Sequence, residues 1–436
     1  MKTHAPNRRQ FLQQAVAAAG AAGISLPGIY SARAADSPAP NETITIGCIG
    51  VGGMGTGNMK VFVNLPGCRV VAVCDAYEDR CRRAKSIVDD TYGNQDCRMY
   101  GDFRDLLARQ DIDAVMIAPQ DHWHALVVTA AVKAGKDMYC EKPLGVSVEE
   151  GRVIRDAVRG AKRVFQTGTW QRSQRKFQQA CELVRHGCLG KIHTVEVASP
   201  CATYRPSYKG SLDPQPVPTG FNWEMWRGPA PAKPYNPGRV AYPDWYLISD
   251  YCAGFITNWG VHHLDIANWG CPQLGTEPFE VECQMVYRKE GFTDNSDTWN
   301  AVFHYASGLK MIYQDDSQRK TGTRFVGDEG WVHIDRAGIW AEPASLLKVK
   351  LTPEQAPITD SDHHQDNFLA CVRNRKDPVS DVDAAYAAST LGLLADIAGR
   401  LGQKLKWDWQ REQFVGHDQA NALLKRPMHN GWQLDA

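Results

Sequence analysis

Ile44-Thr45-Ile46-Gly47-Cys48-Ile49-Gly50-Val51-Gly52-Gly53-Met54-Gly55 is the stretch on which the reading of this chain turns. Its run of β-branched residues predicts a buried strand. The strand ends in Gly50-x-Gly52-x-x-Gly55, and the residues beyond it can continue as a helix. In a dinucleotide fold the first glycine makes the tight turn and the second lets the backbone approach a pyrophosphate. The third lets helix and strand pack closely. Gly53 and Met54 fall at the start of that helix, where unpaired N–H groups face the phosphates. A glycine triplet alone also suits a turn with no ligand. Here a second strand, Arg69 to Cys74, ends in Asp75, 20 residues beyond Gly55. That is the place of the acid that takes the ribose hydroxyls.

At 436 residues the chain is long enough for two domains. Hydrophobic content of 43% and charged content of 22% are those of a globular protein. The formal net charge is zero, so nothing favours nucleic acid or an anionic membrane surface. Residues 1–35 read as a targeting segment outside the fold. No acid precedes Asp36, while Lys2, Arg8, Arg9 and Arg33 are basic. Asn7-Arg8-Arg9-Gln10-Phe11-Leu12, an Ala- and Gly-rich run and a small-residue site at Ala32-Arg33-Ala34 resemble a twin-arginine export signal. The expectation is export of the folded protein to the periplasm or another extracytoplasmic space. No later stretch is long and apolar enough to span a bilayer. The thirteen cysteines are odd in number and evenly spread, and Cys48, Cys74 and Cys140 lie in predicted strands. Without any Cys-x-x-Cys pair, free buried thiols and no metal site are expected.

From residue 43 to about 165 strand and helix patterns alternate, which predicts an α/β, doubly wound parallel sheet. A polar helix follows Asp75, and Asp102 is a good N-cap for the next. Ala114 to Ala118 is a buried strand ending at Pro119, and a helix runs from about His122 to Ala134. Asp137 to Cys140 is the following strand, with Glu141-Lys142-Pro143 at its carboxyl end. Ser147-Val148-Glu149-Glu150 is a capping box. In such sheets ligands bind outside the carboxyl ends of the strands. The glycine turn, Asp75, Pro119–His124 and Glu141–Pro143 therefore converge on one crevice. From 166 to the end the texture changes. A helix over 173–186 and a strand over 192–198 are followed by residues 200–243, with ten prolines and the aromatics Trp223, Trp226, Tyr235 and Tyr242. That composition predicts an ordered loop over a pocket. Strands follow at 279–287, 299–305, 309–314 and 330–335, then helices at 362–374 and 382–401.

Asn258, His262, Asp265 and Trp269 are spaced i, i+4, i+7 and i+11, along one helix face. A capped helix with a satisfied histidine is the plain alternative to a functional stripe. With Glu141-Lys142-Pro143 and the glycine turn, these residues carry a resemblance to the Gfo/Idh/MocA oxidoreductases, relatives of glucose–fructose oxidoreductase and myo-inositol dehydrogenase. The resemblance runs from about residue 43 to the C-terminus. It includes Pro119-x-Asp121-His122-Trp123-His124, Ala134-Gly135-Lys136, Gly145, Trp223-x-x-Trp226-x-Gly228-Pro229 and Gly260-Val261-His262-His263-Leu264-Asp265. It implies a Rossmann domain over 43–165 and a second α/β domain over 166–436 with a large, mostly antiparallel sheet. It also implies NAD or NADP, carbohydrate-like alcohols as substrates, and dimers or tetramers. Lys142 matches the family lysine beside the nicotinamide. His262 matches the general base in a pattern usually written Asp-x-x-x-His. Asn258 stands where that aspartate would be, and an amide neither carries negative charge nor accepts a proton. Asn258 can still position a hydroxyl. Asp265 is a candidate to orient His262.

Cofactor contacts are expected from the glycine turn, Asp75, Pro119, His122, His124, Glu141 and Lys142. Gln171, Arg172, Asp265, Trp223 and Tyr246 are candidates for the substrate, with a surface role the alternative for Arg172. Asp75 followed by Ala76 and Tyr77 favours NAD, while Arg80 one turn later keeps NADP open. Oxidising a secondary alcohol removes a proton from O–H and a hydride from C–H. A neutral His262 suits the proton and Lys142 suits the developing alkoxide. Three functions fit: a sugar or cyclitol dehydrogenase with tightly held NAD, a redox-neutral NAD-dependent glycoside hydrolase or lyase, and a non-catalytic carbohydrate-binding relative. Intact Lys142 and His262 argue against the third.

Overall fold

The computed structural model describes residues 43–434 apart from 202–204, 289, 318, 351–357 and 360. The segment read as an export signal lies outside the described residues. Strands β1 (Ile44–Ile49), β2 (Cys68–Cys74), β3 (Arg98–Tyr100), β4 (Ala114–Ile117), β5 (Asp137–Cys140) and β6 (Phe165–Thr167) form a parallel sheet in the order β3-β2-β1-β4-β5-β6. β4 and β5 are buried along their whole length, because helices cover both faces of such a sheet. Those helices are α1 (Gly53–Asn64), α2 (Glu78–Tyr92), α3 (Phe103–Leu107), α4 (His124–Lys133) and α5 (Val148–Gly160). Strand order reverses between β1 and β4, which opens a crevice above their carboxyl ends. Local signals start the helices as expected. Asp102 caps α3 through the Arg104 N–H, and Ser147 caps α5 through the Glu150 N–H.

After α6 (Arg175–Arg185) the chain builds a nine-stranded sheet from β7 (Ile192–Ser199), β8 (Phe279–Tyr287), β9 (Ser296–Tyr305), β10 (Lys310–Asp315), β11 (Gly322–Gly327), β12 (Gly330–Ile334), β13 (Ile339–Glu342), β14 (Leu405–Asp408) and β15 (Gln413–Phe414). Its order is β13-β12-β11-β7-β10-β9-β8-β14-β15, antiparallel at every neighbouring pair except β7 and β10. Residues of β8 alternate between buried and exposed, so one face meets the core. That face is covered by α10 (Gly260–Gly270) and α12 (Val382–Leu401).

Two segments of the second half return to the first sheet. α11 (His364–Asn374) inserts Phe368 against Phe62 and Tyr139. Residues 205–243 form a strap whose Phe221 stacks on Tyr77 at 3.7 Å, with backbone bonds from Glu78 to Gly220 and from Asn222 to Ala76. This strap holds two short helices, α7 (Trp223–Arg227) and α8 (Pro237–Val240), which its proline content did not announce. Asn222 and Asn236 cap them, and Pro237 sits in a first turn where a missing N–H is harmless. β11, β13, β14 and β15 were likewise absent from the sequence reading. β13, β14 and β15 are pieces of two to four residues toward the sheet's edges, too short for a pattern to stand out, and β11 is bounded by Gly322 and Gly327. The helix expected to carry Asn258, His262, Asp265 and Trp269 divides into α9 (Phe255–Asn258) and α10, with the His262 N–H bonded to the Trp259 carbonyl at the junction.

Candidate active site

A cleft of about 640 Å³ lies over the carboxyl ends of the parallel strands and reaches α9 and α10. Its Rossmann end is the glycine turn. Gly50 has φ +78°, and a Cβ there would lie 2.4 Å from the Pro119 nitrogen. A Cβ on Gly55 would lie 1.8 Å from the Gly50 carbonyl oxygen, so only glycine lets α1 start this close to β1. No side chain caps α1, and a Cβ on Gly53 would meet nothing within 4 Å. The first-turn N–H groups thus border open space, as binding a phosphate requires. Asp75 stands beside them, its Oδ2 accepting the Val51 N–H and its Oδ1 the Tyr77 N–H, both at 2.9 Å. Burial pushes its pKa up, and Arg80 opposes that. The Arg80 guanidinium stacks 4.2 Å from the Tyr77 ring centre and 3.9 Å from Asp75 Oδ1. Donors for a pyrophosphate and a carboxylate for a ribose fit a dinucleotide.

Glu141, Lys142 and Pro143 leave β5 toward the second sheet. Glu141 accepts from Asn58 Nδ2 at 2.7 Å and lines the cleft. Lys142 Nζ donates to Asn258 Oδ1 at 2.8 Å and to the Asn258 carbonyl at 3.0 Å. Asn258 Nδ2 donates in turn to Asp121 Oδ2 at 2.8 Å. Burial lowers the pKa of Lys142, against the pull of Asp121 and Glu141. His262, one turn past Asn258, lines the same cleft as Lys142. Burial, then the positive charges of Lys142 and Arg336, hold its pKa well below the ordinary value. The imidazole is therefore neutral near pH 7. Nδ1 is buried without a partner among the described residues. Trp170, Trp226, Tyr242, Trp245, Tyr246 and Trp259 wall the remainder. Arg336 stands between two of them, 4.6 Å from the Trp170 ring centre and 4.4 Å from that of Trp259. A mostly aromatic wall with a few convergent polar groups is how small-ligand sites are built.

The structure gathers Gly50, Gly52, Gly53, Met54, Asp75, Pro119, Glu141, Lys142, Tyr246, Asn258 and His262 around this one cleft, with Gly55 packed beneath it. Other expected site residues stand elsewhere. His122 is fully buried, its ring nitrogens 3.3 Å from the Tyr251 carbonyl and 3.2 Å from that of Trp226. His124 faces the Pro143 and Pro119 carbonyls at 2.6 and 3.3 Å. Both serve turns around the site rather than the cofactor, because unpaired carbonyls there need donors. Asp265 does not orient His262. It takes both Arg172 contacts, at 2.8 and 2.6 Å, in a buried pair. Arg172 thus lies neither on the surface nor in the cleft. Gln171 Nε2 donates to the His262 carbonyl at 3.0 Å, and its Oε1 accepts from Arg336 at 3.1 Å. Trp223 donates to the Lys233 carbonyl and lines a separate cavity outside Asp75, while Trp226 faces the cleft. Sequence reasoning missed roles for Asp121 and Arg336. Asp121 lay within a quoted motif, but its partner Asn258 is 137 residues away. Arg336 follows β12 with no motif around it.

Comparison with known proteins agrees with this layout. Residues 44–169 match the family described as "Oxidoreductase family, NAD-binding Rossmann fold". Residues 174–434 match "Oxidoreductase family, C-terminal alpha/beta domain". The chain is 31% identical over 169 residues to an inositol 2-dehydrogenase of Salmonella paratyphi B, covering 38% of this chain and 49% of that one. It thus spans about half the length of such curated relatives. A myo-inositol 2-dehydrogenase of Thermotoga maritima is 29% identical over 71% of this chain and 78% of its own. A glycosyl hydrolase family 109 protein of Saccharopolyspora erythraea is 32% identical over 33% of this chain and 35% of its own. Among solved structures, the aldose–aldose oxidoreductase of Caulobacter crescentus complexed with glycerol shares the fold. Its TM-score is 0.62 at 19% identity, covering 84% of this chain and 99% of that one.

Proposed function

The chain belongs to the Gfo/Idh/MocA oxidoreductase family, and from that premise we propose that it oxidises a secondary alcohol of a sugar, glycoside or cyclitol. Bound in the cleft, NAD supplies the hydride acceptor. One observation carries the reading: Lys142 from the end of β5 and His262 from α10 face a single cleft that begins at the glycine turn. His262, neutral near pH 7, takes the hydroxyl proton. Lys142 has three N–H groups and, among the described residues, spends two on Asn258, which leaves the third for the substrate oxygen as negative charge grows there. The tryptophans and tyrosines of the wall hold the ring and keep water out. The carboxylate of Asp75 suits a ribose 2′-hydroxyl and repels a 2′-phosphate, which supports NAD over NADP.

Retention of the cofactor is supported by the strap, whose Phe221 packs on Tyr77 beside Asp75. Tight binding and folded export through a twin-arginine route belong together, since a periplasmic enzyme would have to carry its cofactor with it. All thirteen cysteines are free and twelve are buried, as expected of a chain folded under reducing conditions. A second reading, redox-neutral glycoside cleavage, draws on Asn258 and on the glycosyl hydrolase relative. In it, transient oxidation of one ring carbon acidifies its neighbour, elimination expels the glycosidic oxygen as an alcohol, water adds to the unsaturated ketone, and the carbonyl is reduced again. NAD-loaded protein incubated with myo-inositol, aldoses and aryl glycosides separates the readings through reduced-nicotinamide absorbance. Lasting reduction without cleavage is the expected result. Cleavage without net reduction favours the second reading, and neither event, with NAD bound, overturns both.

A further inference from the structure

We propose that Asp121 is a positioning residue for Lys142, supplying through the Asn258 amide the negative charge that position 258 itself lacks. The proposal rests on the site reading above and deepens it. Among the described residues, Lys142 makes its side-chain hydrogen bonds to Asn258 alone, at Oδ1 and at the carbonyl. An ammonium only donates and a carboxylate only accepts. The orientation of the amide between them is thus dictated: oxygen toward Lys142, nitrogen toward Asp121. Both bonds measure 2.8 Å, and Asp121 and Asn258 are each 2% exposed. Water therefore competes little, and a charge one amide away stays strongly felt. Glu141, the other carboxylate near Lys142, is turned away, accepting from Asn58 Nδ2 and from the backbone N–H of Lys142.

Asp121, Asn258 and Lys142 all line the cleft, and protein groups surround their other sides. Asp121 faces Lys142 and Asn258, with His124 from its own segment and Cys252 and Tyr246 from the loop before α9. Lys142 faces Asp121, Glu141, Cys252 and Arg336, and next to it is His262. Among these, Asp121 is the carboxylate joined to the ammonium by an unbroken line of hydrogen bonds. The line does two things. It favours the charged form of Lys142 against burial, and it fixes where the remaining N–H points.

The test reads Lys142 directly and needs no substrate, so its failure is distinct from failure of the functional reading. Protein labelled with ¹³C at lysine Cε and loaded with NAD is titrated by NMR, the Lys142 signal being assigned by its loss in Lys142→Arg. Asp121→Asn is expected to increase the acid dissociation constant of Lys142 at least about tenfold. The exchange D121N/N258D, which keeps one carboxylate, one amide and both bonds, is expected to return it to the wild-type value or below. A Lys142 titration unmoved in Asp121→Asn overturns the proposal. So does failure of the exchange to restore it in protein whose thermal midpoint matches wild type. Should Asp121→Asn alone not fold, the exchange carries the test by itself, since a constant left above the wild-type value would overturn it.

Discussion

Lys142 is a half-buried cation and Arg172 a buried one, and what each touches gives them opposite duties. Lys142 borders the cleft and, among the described residues, spends two of its three N–H groups on Asn258. Replacing it by Met should lower kcat/KM by about 10²–10³, the loss typical of removing one donor to a developing oxyanion, while NAD titration stays near wild type. Arg172 is spent on Asp265, with 7% and 1% of the two side chains exposed, and its guanidinium lies 5.0 Å from the Trp269 ring centre. Asp265→Asn should therefore act on stability, by about 3–5 kcal/mol in denaturant titration, because it strands a buried charge. If Asp265→Asn instead left stability intact and abolished turnover, the structural role given to the pair would be wrong. Spacing placed Asn258, His262, Asp265 and Trp269 on one face. It could not say that the first two look into the cleft and the last two onto Arg172.

At the scale of elements, the strap and the break between α9 and α10 do most to shape the site. The strap covers the β2 end of the cofactor cleft through the stacked Tyr77–Phe221 pair and the two backbone bonds that flank it. Phe221→Ala should quicken NAD release roughly three- to tenfold, as loss of an aromatic pair of about 0.5–1.5 kcal/mol would. Stopped-flow displacement measures this, and an unchanged release rate would separate the strap from cofactor retention. At the break, a Cβ on Gly260 would lie 1.9 Å from Tyr313 Oη. That hydroxyl is already fixed by the Ile256 carbonyl at 2.6 Å and Ser199 at 3.0 Å. Gly260→Ala should thus cost about 1–3 kcal/mol by overpacking and shift α10, and His262 with it. Thermal unfolding reads the first effect and kcat the second. Caps, glycine stops and long amphipathic runs were legible in the chain, and α12 begins and ends where its pattern does. The edge strands were not, because a strand of two to four residues is made by the neighbour it pairs with.

The molecule as a whole buries several histidines as neutral rings. Burial takes His122 and His263 down to about 3 and His364 to about 4, from an ordinary value of 6.5. Below pH 6.5 the unfolded chain binds protons that the folded one refuses, so stability is full above that pH and is lost as pH falls toward 4. The slope approaches about 1.4 kcal/mol per pH unit for each ring, or about 4 for three. Guanidinium unfolding at pH 7, 6 and 5 should show it, with His122→Asn removing about one ring's share; a flat response would contradict the burial of neutral imidazoles. By itself, the sequence determined the parallel sheet, its switch-point crevice and the glycine cradle. Those depend on chain-local chemistry: strand period, helix caps, and glycines that nothing larger could replace. Only the tertiary structure decided that His122, His124, Gln171, Arg172 and Asp265 are struts, and that Asp121 stands behind Asn258. A buried polar group takes its partner from whichever distant surface packs against it, and no spacing along the chain encodes that surface.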